Sequence, residues 1–427
     1  MKLSSLIGHV TELSHAIDTS ERPADRLIDM FFRERKYLGS KDRRFISETI
    51  YGMLRHRTRI EWGISQSGVK DSPLIQCLAY LLLDHKMSIQ QITAEVNVTE
   101  EDLSSIERNV NAEPAFPSAI ASLSVKYSFP EWMLTEWERT AGHDQVAQLC
   151  TVLNTQAPMT MRVNTIKISR EECQRRLFEE GVETEQTELS PFGLNLKRRI
   201  NLFQLQSFKD GLFEVQDEGS QLLALLVDPK PKSKVIDACA GAGGKALALA
   251  AIMENRGEIF ALDVHSFRLD ELQKRVRRSG VDTIRTSAIR ENEPVEKFVS
   301  SADYVLVDAP CTGTGTIRRN PGMKWSVSEK MVAELCEKQF SILDLNAAYV
   351  KPGGRLVYAT CSLIQKENQD VVDRFLASHP EFELIDPSTI LSRYDLARVA
   401  RGKYFQLLPH EYNTDGFFAA VMKRKIA

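Results

Sequence analysis

Val235-Ile236-Asp237-Ala238-Cys239-Ala240-Gly241-Ala242-Gly243-Gly244-Lys245 joins a short apolar strand to a helix through a turn carrying three glycines. Glycines at such a turn let the backbone bend tightly and approach a ligand without Cβ interference. The next apolar stretch, Glu258-Ile259-Phe260-Ala261-Leu262-Asp263, ends in an acid twenty residues beyond Gly243. A carboxylate there can accept hydrogen bonds from ribose hydroxyls. Together these residues point to an adenine-containing cofactor at the carboxyl edge of an open sheet. The turn residues Cys239, Ala240, Gly241, Ala242, Gly243, Gly244 and Lys245, with Asp263, are the candidate contacts. By itself the pattern leaves nicotinamide dinucleotide and S-adenosylmethionine both open. A P-loop is excluded, because GAGGK lacks both the spacing and the Ser/Thr after the lysine.

Outward from this turn, strands alternate with helices over residues 216–427. Tyr304-Val305-Leu306-Val307-Asp308 and Arg355-Leu356-Val357-Tyr358-Ala359-Thr360 are further strands, and an Arg/Lys-rich helix covers 268–279. Such alternation implies an α/β fold with a parallel sheet covered on both faces. Gly416-Phe417-Phe418-Ala419-Ala420-Val421-Met422 has no helix after it, so it is expected to pair antiparallel. Residues 1–140 show helical periodicity, as in Leu27, Ile28, Phe31 and Phe32, and almost no strand signal. Residues 145–215 mix short strands, Thr160-Met161-Arg162-Val163-Asn164 and Gly193-Leu194-Asn195-Leu196, with a helix capped by Ser169. Three domains are therefore expected: an all-α domain, a small α+β module and an α/β domain.

The composition is that of a globular protein: 427 residues, 43% hydrophobic and 26% charged. Lysines and arginines number 55 against 58 acids, a net charge of −3 that gives no general sign of a polyanion partner. No apolar run is long enough to span a bilayer and the first residues lack a signal-peptide core, so no membrane partner and a cytoplasmic location are expected. The seven cysteines are odd in number and scattered, which suits reduced thiols rather than a disulfide framework. With no CxxC pair or Cys/His cluster, no metal site is expected.

Two of those cysteines stand at strand ends. Asp308-Ala309-Pro310-Cys311-Thr312-Gly313 follows one strand and Thr360-Cys361-Ser362 another, on the edge that carries the glycine turn. A buried structural thiol fits Cys77, Cys150, Cys173 and Cys336, and fits these polar strand-to-loop transitions poorly. Two thiols and a carboxylate beside an S-adenosylmethionine site suit methylation of cytosine carbon 5. That carbon is too weak a nucleophile until a thiolate adds at carbon 6. Asp308, protonated or sharing a proton, can stabilise the charge that develops at ring nitrogen 3. The residues alone do not say which cysteine attacks.

These motifs resemble the Sun/RsmB/Nop2-type RNA cytosine-5 methyltransferases, over nearly the whole chain. Asp-Ala-Cys-Ala-Gly-Ala-Gly-Gly-Lys looks like the family's cofactor loop, with Asp-Ala-Pro-Cys and Thr-Cys-Ser as its paired cysteine motifs. Arg318-Arg319-Asn320-Pro321, Lys324-Trp325, Glu367-Asn368 and Thr414-Asp415-Gly416-Phe417-Phe418 match further positions, and Met161-Arg162-Val163-Asn164 is similar to the family's RNA-binding module. The resemblance is strongest to bacterial ribosomal small-subunit RNA members with an N-terminal NusB-like domain. It implies a Rossmann-like methyltransferase sheet, S-adenosylmethionine as cofactor with Asp308 also near it, and a ribosomal RNA substrate. It further implies Cys361 as nucleophile and Cys311 as an aid to product release. The chain departs from the family at Ala242, which replaces a proline, and at Ala246, which replaces a threonine. The third strand, near 284–289, also lacks the aspartate expected beside the adenine, so that either Ser287, Arg290 or Asn292 substitutes or the base is held by packing, and no residue is assigned there.

For RNA contact, Arg318, Arg319 and Lys324, just after Cys311, are the expected residues. Residues 21–60 add eleven lysines and arginines against six acids, with Tyr37 and Tyr51 as stacking partners. The chain is expected to act as a monomer. The competing readings are a tRNA cytosine-5 methyltransferase, a non-catalytic RNA-binding ribosome-assembly factor, and a dinucleotide oxidoreductase that leaves both cysteine motifs unexplained.

Overall fold

In the computed structural model, residues 1–20, 22–83, 87–291 and 293–426 are described. Asn292 lies outside them. Contacts divide the chain into two units: Met1–Gln156 with Ile317–Ser328, and Ala157–Thr316 with Glu329–Ala427.

The first unit is helical. Among the described residues its main helices are α1 (Leu3–Asp18), α2 (Ala24–Glu34), α3 (Ser40–Arg55), α4 (Arg57–Ser67), α5 (Pro73–Leu83), α6 (Ile89–Thr93), α7 (Glu100–Asn111), α8 (Ala119–Tyr127), α9 (Glu131–Ala141) and α10 (His143–Leu153). Prolines precede or open α2, α5 and α9, where a missing N–H costs nothing. The stripe read in α2 buries Ile28 and Phe31 in a core shared with Ile46, Ile50, Leu78 and Ile106. The helical region extends past the expected boundary at 140, because α10 buries Val146, Leu149, Cys150 and Leu153. It also takes in residues 317–328, although in sequence order they lie within the α/β domain expected over 216–427.

The second unit holds two sheets. The smaller is antiparallel, in the order β2-β3-β1-β4, from β1 (Thr160–Val163), β2 (Thr184–Gln186), β3 (Gly193–Leu196) and β4 (Phe213–Val215). Its helix α11 (Arg170–Glu179) starts where Ser169 Oγ accepts from the Glu172 N–H.

The larger sheet is built on β5 (Lys234–Asp237), β6 (Glu258–Asp263), β7 (Ile284–Ala288), β8 (Ala302–Asp308) and β9 (Val350–Thr360). These run parallel in the order β7-β6-β5-β8-β9. Helices α12 (Glu218–Val227), α13 (Gly244–Ile252), α14 (Ser266–Ser279), α15 (Glu329–Ala347) and α16 (Gln369–Ser378) accompany them. Val305, Leu306 and Val307 are all buried, the continuous apolar run of a strand covered on both faces. After β10 (Phe382–Ile385), β11 (Ala400–Arg401) and β12 (Tyr404–Leu407), the last strand β13 (Phe417–Arg424) pairs antiparallel with β9. Phe418 stands opposite Thr360. The sheet is thus Rossmann-like with an antiparallel last strand, as expected.

Candidate active site

Parallel register brings the chemistry-bearing residues to one edge. Asp237 ends β5, Asp263 ends β6, Asp308 ends β8 beside Ala359 of β9, and Cys361 follows β9. The glycine turn leaves β5 at this edge. At Gly243, φ is +81° and a Cβ would lie 2.0 Å from Leu272, so both backbone and packing require glycine. Gly241, at φ +53°, would point a Cβ into open space. Its N–H donates to Asp263 Oδ2 at 2.9 Å, while the His265 N–H donates to Oδ1 at 2.8 Å. Asp263 therefore shapes the turn as well as offering its remaining lone pairs. Arg275 of α14 braces the same loop by donating to the Ala242 carbonyl at 2.7 Å, and its guanidinium is held by Glu214 at 3.0 Å. Ala242 is exposed, and Ala246 is buried in α13.

Asp308 does not stand alone. Lys245 Nζ, from the start of α13, donates to its Oδ2 at 2.5 Å. Burial pulls the Lys245 ammonium toward neutrality, but Asp308, with smaller contributions from Cys361 and Asp237, outweighs this and raises its pKa. Asp237 is buried, and among the described residues neither carboxylate oxygen has a side-chain hydrogen-bond partner; only the backbone N–H of Ala246 approaches it. Burial first, then the charge of Asp308, pushes it up to about 7, against the pull of Lys245. Asp237 is not among the contacts expected from the sequence, where its place at the end of the strand leading into the glycine turn is the signal for it. Burial also raises the Cys239 thiol far above its usual range.

The two motif cysteines meet. Cys311 Sγ and Cys361 Sγ are 3.4 Å apart. The Cys311 thiol is held well above its usual pKa, first by the hydrogen bond to Cys361, then by burial, then by the charges of Cys361 and Glu367. Gly315 closes the loop after Cys311: its N–H donates to the Cys361 carbonyl at 2.9 Å, and its own carbonyl accepts from Gly416 N–H at 2.8 Å. The closing Asp415-Gly416-Phe417 motif thus holds the Cys311 loop against the Cys361 loop.

The expected RNA contacts are separated. Lys324 is 0% exposed, so it cannot meet a phosphate. Its Nζ donates to the Arg55 and Ser128 carbonyls, each at 3.0 Å, and to Asn154 Oδ1 at 2.6 Å, and sits over the Phe129 ring. Arg318 is also buried, donating to Thr155 Oγ1 at 3.1 Å and the Gln156 carbonyl at 3.0 Å. Trp325 Nε1 donates to the Leu54 carbonyl at 2.8 Å. These groups anchor residues 317–328 in the helical unit, and a charge count along the chain cannot distinguish such anchors from surface cations. Arg319 is exposed. In the 21–60 stretch, Arg22, Arg26, Arg33, Lys36, Lys41 and Arg44 are exposed with Tyr37, whereas Arg59 is buried against the Val110 carbonyl.

The profile of the 16S rRNA methyltransferase RsmB/F family matches residues 224–423, and that of the RsmF/B-like ferredoxin-like domain matches 129–202. A Bacillus subtilis protein named "Probable ribosomal RNA small subunit methyltransferase B" is 31% identical over 414 residues, covering 91% of this chain and 92% of the relative. Ribosomal RNA small subunit methyltransferase B of Proteus mirabilis is 27% identical over 91% of this chain and 92% of its own. Among solved structures, PH0851 superposes with a TM-score of 0.78 at 26% identity, over 99% of each chain. A methyltransferase homologue from Pyrococcus horikoshii gives 0.61 at 26% identity, over 72% of this chain and all of that one. On this sequence relationship and on the site's architecture, the chain belongs to the RsmB/F methyltransferase family, whose methyl donor is S-adenosylmethionine.

Proposed function

We propose that the protein methylates carbon 5 of a cytosine in ribosomal RNA through a covalent adduct with Cys361. The carrying observation is the pair of sulfurs 3.4 Å apart, at the edge that also holds the Lys245–Asp308 ion pair. The residues present suit the cofactor. Gly241 leaves open space at the turn, and the buried carboxylate of Asp237, approached only by the Ala246 N–H, keeps acceptor capacity that no side chain among the described residues uses. Asp237, Asp263 and the turn backbone would hold S-adenosylmethionine, which, when bound, supplies a methyl cation equivalent and leaves as a neutral thioether.

Cys361 thiolate adds to carbon 6, and the electron pair of the 5,6 double bond becomes available at carbon 5. The Lys245–Asp308 pair supplies a proton to ring nitrogen 3, neutralising the charge that would otherwise build there. Carbon 5 then takes the methyl group. With its sulfur bonded to carbon 6, Cys361 no longer carries the charge or accepts the hydrogen bond that held the Cys311 proton. Cys311 ionises to solvent and removes the carbon-5 proton. The double bond re-forms, Cys361 leaves as thiolate, and nitrogen 3 returns its proton to the pair. Arg319 and the exposed cations of 21–60 are the proposed phosphate contacts, and the target base reaches the pocket unstacked.

Transfer of labelled methyl groups into unmodified ribosomal RNA transcripts tests this reading. Cys361→Ala is expected to lower transfer at least about a thousandfold, and Cys311→Ala to accumulate a denaturant-stable protein–RNA adduct. Full turnover by Cys361→Ala overturns the assignment. RNA binding without transfer by the unaltered protein favours a non-catalytic role.

A further inference from the structure

One buried carboxylate beside the thiols has no part in these steps. Glu367 is 0% exposed, in a single turn of helix six residues beyond Cys361. Its Oε1 accepts from the Thr312 N–H at 2.8 Å and from Gln339 Nε2 at 3.0 Å. Its Oε2 accepts from Thr312 Oγ1 at 2.5 Å and from the Ser362 hydroxyl. Thr312 directly follows Cys311, and Ser362 directly follows Cys361. One carboxylate therefore grips the residue next to each sulfur. Gln339 extends the grip to the other side of Cys311 by donating to the Pro310 carbonyl at 3.0 Å. The Tyr358 hydroxyl, on β9, donates to the Glu367 carbonyl at 2.6 Å and fixes the turn that carries the carboxylate.

Among the described residues no lysine or arginine pairs with Glu367. A clamp needed only for shape could be neutral, because burying an anion without a counter-ion carries a desolvation penalty. The charge itself acts on Cys311, whose proton it helps to retain. Before attack, two neighbouring thiols compete for one role, and a negative charge beside Cys311 biases that competition toward Cys361.

We propose that Glu367 is a positioning residue that ties the two cysteine loops in register and, by its charge beside Cys311, leaves the attack to Cys361. This rests on Cys361 being the nucleophile, and its test uses neither RNA nor cofactor, so it fails or stands apart from the methyl-transfer assay. Alkylation of Cys311 and Cys361 is followed separately by mass spectrometry of the full chain across pH. Glu367→Gln, which keeps the shape and removes the charge, is expected to raise the Cys311:Cys361 rate ratio at pH 8 at least about threefold. Glu367→Asp, which restores the charge, returns the ratio toward that of the parent. Thr312→Val, which removes one donor and leaves the charge, keeps the parental ratio and serves if Glu367→Gln does not fold. An unchanged ratio in Glu367→Gln, an equal rise in Glu367→Asp, or a rise in Thr312→Val overturns the proposal.

Discussion

Cys311 and Cys361 place their sulfurs 3.4 Å apart, and their hydrogen bond is the largest reason that the Cys311 thiol resists ionisation. Removing the partner should therefore make the remaining thiol more acidic. In Cys361→Ala, Cys311 is expected to react with iodoacetamide about tenfold faster at pH 8 than in the parent. An unaltered rate would show that burial, not the partner, controls Cys311.

Gly315 sits where no side chain fits. A Cβ there would lie 2.1 Å from the Gly416 carbonyl oxygen and 2.8 Å from that of Cys361, and both groups are backbone. Gly315→Ala is expected to destabilise the sheet unit by about 1–3 kcal/mol in urea denaturation, and to lower methyl transfer by more than that loss of folded protein explains.

Asp237 gives the protein a pH signature. Its pKa is raised by folding to about 7, against roughly 4 for an unfolded aspartate. The native state then keeps a proton that the unfolded chain has already released. Stability should fall as pH rises from roughly 4 to about 7 and stay lowered above that. Asp237→Asn removes this dependence, so its melting temperature is expected to gain on the parent's between pH 4 and pH 8. Calorimetry should show the opposite trend for the ligand: if ionised Asp237 contacts the cofactor, affinity for S-adenosylmethionine rises about tenfold from pH 6 to pH 8 in the parent. A flat profile would remove Asp237 from the cofactor site.

Lys324 should behave as an interior residue. Lys324→Met leaves the Arg55 and Ser128 carbonyls and Asn154 without their shared donor, and is expected to destabilise the helical unit by about 2–4 kcal/mol. Urea denaturation followed by tryptophan fluorescence measures this. Unchanged stability with weakened RNA binding would restore Lys324 to a surface role.

Much of the sheet unit was legible because its information is local. The bounds of β6 and β3 follow from runs of apolar and alternating residues, and the antiparallel end of the sheet follows from an apolar strand with no helix after it. The meeting of Cys311 and Cys361 was legible through topology, since parallel strands deliver their carboxyl ends to one edge. Lys324 was misread because a cation's sequence neighbours say nothing about carbonyls 170 to 269 residues away. The grip of Glu367 was hidden for the same reason. Its donors come from three separate segments, and only folding shows that a glutamate on the edge of a helical turn faces inward.

The chain leaves the helical unit after Gln156, re-enters it at Ile317 and leaves again after Ser328. A single cut therefore cannot separate the two units. A shortened protein starting at Ala157 would retain twelve residues whose buried partners had been deleted, with an ammonium and an indole evolved for an interior turned toward water. Those residues continue without a break from the loop that carries Cys311. Removing residues 1–156 would thus unmoor a helical-unit segment that continues the Cys311 loop, and transplanting the helical unit into another protein requires moving both of its pieces together.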